Sequence, residues 1–288
     1  LIIRTRTRCD EQLLADTKVK FVATATIGYD HIDADFMQRA GIGWTNCPGC
    51  NASAVAQYVR KALEGLGVGP QTLNLKSQTS NLKPLTVGIV GYGHVGHKVK
   101  RALEGMGCKV LLNDPPIEET RSLSPEASFV SLQELAEVCD VITFHTPLTK
   151  EGPYPTWHLA DDRFFASLKR RPVVINTARG GVVDEAAMLR AYADGRVGAT
   201  VIDTWEGEPH VNDDLLRLAA IATPHIAGYS ADGKCNATRM ALRAVCDFFG
   251  VRIEDEEHFL TITAPPDDIP MAEDGMLAEA TRSLKACP

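Results

Sequence analysis

Three short polar segments of this chain each follow an apolar, β-branched run, and together they contain an arginine, a glutamate and a histidine. They are residues 176–181 (NTARGG), 203–209 (DTWEGEP) and 224–229 (PHIAGY). The preceding runs are typical of buried parallel strands, and α/β sheets bind ligands at the carboxyl ends of such strands. We therefore expect the three side chains to line one crevice.

The side chains in question, Arg179, Glu208 and His225, suit the oxidation of a hydroxyl group next to a carboxylate. A guanidinium binds a carboxylate through two parallel hydrogen bonds. An imidazole can take a proton near neutral pH, and a carboxylate on its other nitrogen orients it and raises its pKa. Taken singly, each has another interpretation: a surface cation, a loop charge and a buried, hydrogen-bonded histidine. Their position at successive strand ends favours a shared site.

A glycine-rich loop, residues 91–96 (GYGHVG), lies between a predicted strand and a predicted helix. In this context Gly91 permits a tight turn, Gly93 lets the backbone approach a pyrophosphate, and Gly96 lets helix and strand pack closely. Asp114 ends the next strand, where a carboxylate accepts hydrogen bonds from ribose hydroxyls and repels a 2′-phosphate. The pattern predicts NAD rather than NADP as cofactor. The alternatives are a glycine turn without a ligand and an aspartate that only ends its strand.

Metal and disulfide chemistry have weaker support. His94 and His97 have helical i, i+3 spacing, but no third ligand is evident, so we predict no metal site. The eight cysteines are scattered, as expected for a reduced, cytoplasmic protein. Cys47 and Cys50 form a lone CxxC, either a redox pair or, as we favour, a turn before a helix that starts near Asn51.

The composition is that of an ordinary globular protein, with 44% hydrophobic and 23% charged residues among 288. The net charge of −7 and the lack of a basic stripe argue against a nucleic-acid binder. No apolar run reaches about 18 residues, so no membrane span is expected. The length predicts two domains.

Strands alternating with helices predict an α/β fold with parallel sheets. We expect a doubly wound Rossmann domain that binds NAD at residues 80–230. A smaller, flavodoxin-like substrate domain is expected at 1–70 plus 231–250. The chain begins in an apparent strand, so we expect the first βα unit of this domain to be missing. Residues 65–82 look like a linker and 251–288 like an acidic tail.

The individual elements follow from hydrophobic periodicity and breaker residues. Strands are predicted at 1–5, 21–26, 42–45, 86–90, 109–113, 141–144, 173–176, 199–202 and 221–222. Helices are predicted at 11–15, 35–40, 52–66, 94–106, 132–138, 161–168, 185–193, 213–218 and 232–249.

From residue 1 to about 250 the sequence resembles the D-isomer-specific 2-hydroxyacid dehydrogenases. The family-wide marks are the glycine loop and the three strand-end segments. Marks of one branch, whose members act on a phosphorylated 2-hydroxy acid, are residues 21–33 (FVATATIGYDHID), 48–51 (PGCN), 144–148 (FHTPL), 152–154 (GPY) and 225–233 (HIAGYSADG). The resemblance implies an NAD-dependent enzyme, two hinged domains and a homodimer.

The resemblance also implies residue roles. It makes Arg179 and Glu208 active-site residues and His225 the proton donor or acceptor. It implies contacts with NAD at His94, Val95, Asp114, Thr146, Thr177, Ala178, Arg179, Asp203 and Gly228. It implies substrate contacts at Thr5, Thr26 and Tyr229. Arg4, beside Thr5 at the end of the first strand, is our candidate for a cation that binds the substrate phosphate.

Two departures from the family pattern concern the ends of the chain. We expect the first βα unit to be missing and an acidic tail to stand in place of most of the C-terminal dimerisation domain. They bear on folding and dimerisation rather than on chemistry. Three rival hypotheses stay open: a related phosphoglycerate or hydroxypyruvate dehydrogenase, a non-catalytic protein that senses NAD, and an inactive remnant.

Overall fold

A computed structural model describes residues 1–68, 84–120 and 128–252. These residues form two compact units, one of residues 1–54 with 228–252 and the other of residues 55–227. Most of the predicted linker and of the predicted acidic tail falls outside the described residues. No helix in the described part has the length and apolar character needed to cross a bilayer.

The smaller unit is built on a three-stranded parallel sheet of order β1-β2-β3. The strands are β1 (Ile2–Ile3), β2 (Phe21–Thr24) and β3 (Gly43–Thr45). Its helices are Glu11–Leu14, Ala34–Ala40 and Ala231–Phe249. Asp10, Asp33 and Ser230 cap the amino ends of these helices through their side-chain oxygens, which is why each helix begins where it does.

The larger unit is built on a six-stranded parallel sheet of order β5-β4-β6-β7-β8-β9. Its strands are β4 (Thr86–Val90), β5 (Lys109–Asn113), β6 (Val141–Phe144), β7 (Val173–Asn176), β8 (Ala199–Ile202) and β9 (Ile221–Ala222). The chain runs from β4 to β5 on one side and returns to β6 on the other. This reversal makes the carboxyl end of β4 the topological switch point, where doubly wound sheets bind nucleotides.

Helices cover both faces of this sheet. They span Ala52–Gly65, His94–Gly105, Pro115–Thr120, Leu132–Val138, Asp162–Ser167, Glu185–Ala193 and Asp213–Leu218, with a 3₁₀ turn at Gly180–Val182. One face packs Phe144, Phe165 and Met188 together. The other face packs Ile89 and Leu103 together. The parallel α/β architecture predicted from the sequence is confirmed.

The unit boundary differs from the predicted domain boundary. The prediction assigned residues 55–70 to the smaller domain, whereas residues 55–65 of the helix Ala52–Gly65 pack in the larger unit. Val59, Ala62 and Leu63 are buried against the apolar face that contains Ile89. Burial of these side chains therefore places most of the helix in the larger unit.

Every predicted strand and helix is present, with its ends shifted by two residues at most. The prediction missed the helix Pro115–Thr120 and the 3₁₀ turn. Two consecutive prolines suggested a break. Proline is tolerated in the first turn of a helix, however, and Asp114 Oδ1 accepts a hydrogen bond from the Ile117 N–H at 3.0 Å.

Candidate active site

His225 and Glu208 form a direct pair in the larger unit. His225 Nδ1 lies 2.9 Å from Glu208 Oε2. A carboxylate only accepts hydrogen bonds, so Nδ1 carries the hydrogen and Nε2 is the acceptor of the neutral ring. The bond to Glu208 raises the pKa of His225; burial and Arg179 oppose this shift, but the Glu208 and Asp203 charges support it. The imidazole is thus oriented as a base that can hold a proton.

The carboxylate of Glu208 is ionised by the same contacts. Burial raises the pKa of Glu208, but the hydrogen bond from His225 and another from the Trp205 N–H outweigh it, so the net shift is downward. The second bond joins Trp205 N to Glu208 Oε1 at 2.8 Å. Each oxygen therefore has its own donor, which fixes the plane of the carboxylate relative to the imidazole.

A buried aspartate holds the segment that carries His225. Asp203 is 1% exposed, and its carboxylate accepts from the Ile226 N–H at 2.7 Å, the Ala227 N–H at 2.9 Å and the Thr223 hydroxyl at 2.6 Å. Its carbonyl accepts from the His225 N–H at 2.8 Å. These bonds show that Asp203 positions the backbone of the segment that carries His225. The contact between Asp203 and NAD that the resemblance implies stays a prediction.

Arg179 lines the same cavity as His225 and Glu208. Asn176 fixes its backbone, because the Asn176 amide donates to the Arg179 carbonyl at 3.0 Å and accepts from the Ala178 N–H at 3.1 Å. Arg179, Glu208 and His225 line one cavity of about 210 Å³ together with Leu148, Trp157, Gly180, Gly181, Trp205, Glu206 and Gly207. The structure thus brings the three predicted catalytic side chains together.

Close backbone packing makes this convergence possible. A Cβ atom on Gly180 would lie 2.0 Å from the Trp205 carbonyl oxygen, and one on Gly181 would lie 2.4 Å from the Trp157 ring. Only glycine allows the first and second strand-end segments to approach this closely. The sequence analysis assigned no role to these two glycines.

The glycine loop has the shape that a dinucleotide requires. Gly91 has φ +92°, and a Cβ on Gly96 would lie 2.0 Å from the Gly91 carbonyl oxygen. Gly93, by contrast, faces open space and begins the helix His94–Gly105 without a side-chain cap. The first N–H groups of this helix, those of His94 and Val95 included, are therefore suited to bind a pyrophosphate.

Two further groups at this edge of the sheet fit the cofactor. Asp114 Oδ2 accepts from the Tyr92 N–H at 2.7 Å, which places the carboxylate beside the glycine loop with acceptor capacity left for a ribose. Thr146 packs against Gly91, and its buried hydroxyl has no hydrogen-bond partner among the described residues. A buried polar atom without a partner is costly, so it marks a place where a ligand can bind.

His145 joins two of the neighbouring strand ends and was missed by the sequence analysis. Its ring nitrogens lie 2.9 Å from Thr143 Oγ1 and 3.2 Å from Thr177 Oγ1. Burial lowers the pKa of His145 to about 3, so the ring is neutral. It fixes the hydroxyl of Thr177, a predicted NAD contact. In the same segment Ala178 is buried. Its backbone N–H donates to the Asn176 side chain, and its carbonyl accepts from the Arg179 guanidinium.

Neither the metal interpretation of His94 and His97 nor the redox interpretation of Cys47 and Cys50 gains support from the described residues. His97 Nδ1 lies 3.0 Å from the Tyr92 hydroxyl. In the described part of the chain no three His, Cys, Asp or Glu residues are grouped to hold a metal. Cys47 and Cys50 are buried and free, and burial raises the pKa of Cys50 to about 11. A thiol that resists ionisation is a poor nucleophile, and residues 48–51 form a turn before the helix Ala52–Gly65.

The remaining predicted site residues belong to the smaller unit. Thr5 is exposed, and Tyr229 is 68% exposed with Lys234 Nζ 5.1 Å from its ring centre. The Thr26 hydroxyl donates to the Gly28 carbonyl at 2.8 Å and lies 2.7 Å from Thr24 Oγ1. A Cβ on Gly228 would lie 2.2 Å from the Asn51 side chain, so glycine is needed there. Their contacts with ligands stay predictions.

Arg4 is engaged within the smaller unit. Its guanidinium donates to the Ala25 carbonyl at 3.3 Å, the Lys234 carbonyl at 3.2 Å and the Thr238 hydroxyl at 2.8 Å. These bonds join β1 and β2 to the long helix Ala231–Phe249. The observed role of Arg4 is therefore structural, and its binding of a substrate phosphate stays a hypothesis.

Comparison with known proteins agrees with this geometry. Residues 55–227 match the family model described as D-isomer specific 2-hydroxyacid dehydrogenase, NAD binding domain. The chain is 51% identical over 275 residues to the erythronate-4-phosphate dehydrogenase of Bacteroides thetaiotaomicron, a match that covers 95% of this chain and 74% of the relative. It is 46% identical over 267 residues to the enzyme of the same name from Porphyromonas gingivalis, with 92% and 68% coverage.

Among solved structures, the NAD⁺-bound 3-phosphoglycerate dehydrogenase of Entamoeba histolytica superposes with a TM-score of 0.69 at 30% identity. That match covers 86% of this chain and 78% of the other. The six-stranded unit is thus an NAD-binding domain, and its glycine loop, Asp114 and Thr146 fit that cofactor. This chain belongs to the D-isomer specific 2-hydroxyacid dehydrogenases.

Proposed function

We propose that this protein oxidises 4-phospho-D-erythronate to (R)-3-hydroxy-2-oxo-4-phosphooxybutanoate with NAD, a step in the biosynthesis of pyridoxal 5′-phosphate (vitamin B6). The relatives named erythronate-4-phosphate dehydrogenase support the choice of substrate. The observation that carries the chemistry is the His225–Glu208 pair, 2.9 Å apart, in the same cavity wall as Arg179.

The three side chains divide the work. Arg179 binds the substrate carboxylate, which orients the neighbouring hydroxyl. His225 Nε2 takes the hydroxyl proton, and Glu208 stabilises the imidazolium that forms. NAD held at the switch point would supply the hydride acceptor for the carbon that carries this hydroxyl, which would leave a carbonyl at that carbon. The proton and the hydride together account for both hydrogens that leave the substrate.

The cofactor contacts follow from the switch point of the sheet. The N–H groups at the start of the helix His94–Gly105 would bind the pyrophosphate, and Asp114 the adenosine ribose. The hydroxyl of Thr146 and the segment of Thr177 and Ala178 would meet the remainder of the dinucleotide. A 2′-phosphate would meet the negative charge of Asp114, which favours NAD over NADP.

Thr5, Thr26 and Tyr229 would contact the substrate, and the functional protein would be a cytoplasmic homodimer. The family resemblance supports the substrate contacts and the dimer, and the scattered cysteines support the cytoplasmic location. Sedimentation of the full chain tests the dimer, and the substitution Tyr229→Ala tests the substrate contact through the KM for the hydroxy acid.

A substrate panel tests the proposal. The full chain with NAD is given 4-phospho-D-erythronate, 3-phosphoglycerate, D-lactate and unphosphorylated D-erythronate, and the formation of NADH is followed by absorbance. The proposal predicts the highest kcat/KM for 4-phospho-D-erythronate. A preference for 3-phosphoglycerate would indicate the related phosphoglycerate enzyme. Binding of NAD without turnover of any substrate would indicate an NAD-sensing protein or an inactive remnant.

A further inference from the structure

Glu185 and Glu206 form a pair of acidic residues next to the segment that carries Glu208 in the larger unit. Glu185 is the first residue of the helix Glu185–Ala193, and Asp184 caps that helix by accepting from the Ala187 N–H at 2.9 Å. Glu185 Oε1 accepts a hydrogen bond from the Glu206 N–H at 2.7 Å. In return, Glu206 Oε2 lies 3.5 Å from the Glu185 N–H. The two residues are thus bonded to each other's backbone.

This exchange of bonds fixes the segment that carries Glu208. Two consecutive N–H groups of this segment are engaged: the Glu206 N–H donates to Glu185, and the Trp205 N–H donates to Glu208 Oε1 at 2.8 Å. Glu208 in turn reaches His225 at 2.9 Å. An unbroken series of bonds therefore runs from a rigid helix start to the imidazole.

We infer that Glu185 is a positioning residue, which holds residues 205–208 so that the Glu208 carboxylate meets the His225 ring in the orientation needed for proton transfer. The inference rests on the proposed function, because it concerns the acid–base pair of that reaction. Glu185 itself does not line the cavity.

The surroundings of Glu185 argue against a role in packing alone. The residue is 6% exposed. Burial raises its pKa to about 7; the hydrogen bond from the Glu206 N–H opposes this shift, and the charges of Glu206, Glu208 and Asp184 support it. His158 Nε2 lies 2.7 Å from Glu206 Oε1 and its Nδ1 lies 3.6 Å from Asp184, so this imidazole faces the same acidic group. A buried carboxyl among three others is costly, and its specific contact is the bond to the segment of Glu208.

A glutamate in the first turn of a helix has a second possible use, since it favours the helix dipole. The two roles differ in what they control. A residue that only stabilises its helix affects thermal stability, whereas a residue that positions Glu208 also controls the pKa of His225. The pH dependence of catalysis therefore separates them.

The test uses Glu185→Ala and Glu185→Gln in the full chain, with 4-phospho-D-erythronate and NAD as substrates. Oxidation needs the neutral imidazole, so kcat/KM falls as the pH drops below the pKa of His225 in the free enzyme. In Glu185→Ala the Glu208 carboxylate is displaced, so this acid limb is expected to move to lower pH. We expect kcat to fall about 10–100-fold, the scale of a displacement of about 1 Å.

Glu185→Gln is the matched control because it removes the charge but keeps an oxygen that accepts from the Glu206 N–H. Its kcat is expected within about threefold of wild type, since a neutral amide retains most of such a bond. The Kd for NAD is expected to be unchanged in both variants. In the background of Glu208→Gln, adding Glu185→Ala is expected to cause little further loss, because the group that it positions is already altered.

Three results would overturn the inference: an unshifted acid limb in Glu185→Ala, equal impairment of the alanine and glutamine variants, or a full additional loss in the double variant. If the alanine variant does not fold, Glu185→Asp replaces it. The shorter side chain draws the oxygen away from the Glu206 N–H, so the acid limb of kcat/KM should move to lower pH by a smaller amount than in Glu185→Ala. An unshifted acid limb in Glu185→Asp would refute the positioning role. Failure of the proposed function is distinct, because wild type itself would then not oxidise 4-phospho-D-erythronate.

Discussion

His225 Nδ1 donates to Glu208 Oε2 over 2.9 Å, which joins the strand-end segments after β8 and β9. His225 has a positive φ of 56°, a conformation that is uncommon for a residue with a side chain. The buried carboxylate of Asp203 supports this backbone by accepting from the Ile226 and Ala227 N–H groups, and the Asp203 carbonyl accepts from the His225 N–H. The orientation of the imidazole thus depends on two carboxylates: Glu208 bonds to the ring, and Asp203 bonds to the backbone that follows His225.

Replacement of Glu208 by glutamine should move the pH profile to the acidic side. The glutamate bond raises the pKa of His225, so its loss lowers that pKa and the acid limb of kcat/KM shifts to lower pH. The amide can also present its NH₂ group to Nδ1, which favours the wrong tautomer. We expect kcat to fall by about 10²-fold or more. The measurement is kcat/KM for oxidation as a function of pH.

Replacement of Arg179 by glutamine should move the same limb in the opposite direction. The Arg179 charge lowers the pKa of His225, so its removal raises that pKa and the limb shifts to higher pH. The KM for the hydroxy acid should rise about 10–100-fold, as expected for charged hydrogen bonds worth about 1.5–3 kcal/mol. Arg190→Gln is the control, since Arg190 pairs with Asp162 at an exposed site. Shifts of equal sign in Glu208→Gln and Arg179→Gln would refute the electrostatic account.

Three glycine-to-alanine substitutions should separate folding from cofactor binding. Gly96→Ala places Cβ 2.0 Å from the Gly91 carbonyl, so it should lower Tm strongly. Gly93→Ala meets no protein atom within 4 Å; it should leave Tm nearly unchanged but weaken NAD binding, because Cβ occupies the approach of the pyrophosphate. Gly105→Ala, also in open space, should stabilise by roughly 0.5–1 kcal/mol. Thermal melts with and without NAD measure all three, and unimpaired NAD binding by Gly93→Ala would show that the loop is not the site.

Replacement of two buried threonines by valine should affect the free energy of unfolding differently. The Thr223 hydroxyl donates to Asp203 at 2.6 Å and therefore accepts from the Tyr58 hydroxyl, also at 2.6 Å. Thr223→Val leaves both partners short of a bond and should cost about 1–3 kcal/mol of unfolding free energy. The Thr200 hydroxyl has no partner among the described residues, so Thr200→Val should be neutral or stabilising. Urea denaturation measures both, and equal losses would contradict the network.

The fold could be predicted from the sequence because each element carries a local signal. Buried parallel strands are continuous apolar runs, and most helices begin at Asp, Ser or Asn caps. The helix Pro115–Thr120 was missed because the two prolines that open it also resemble a break. The change between the two compact units falls inside the helix Ala52–Gly65, ahead of the predicted linker, because tertiary burial of Val59 and Leu63 decides it and gives no local signal.

The catalytic side chains could be predicted because parallel strands bring their carboxyl ends to one edge. Residues that act through others had no such signal. Glu185 lies in the predicted helix 185–193 and Tyr58 in the predicted helix 52–66, and the sequence analysis assigned neither residue a role. Their roles depend on bonds to Glu206 and Thr223, which lie far away along the chain.

The rate of NADH formation from 4-phospho-D-erythronate by wild type and by His225→Gln tests the central claim most directly. Glutamine keeps the size of the side chain but cannot take the proton. We expect turnover in the wild type and a loss of about 10²–10⁴-fold in kcat in the variant, with the Kd for NAD unchanged. A variant as active as the wild type would show that His225 is not the base, and a wild type that binds NAD but does not oxidise this substrate would contradict the proposed activity.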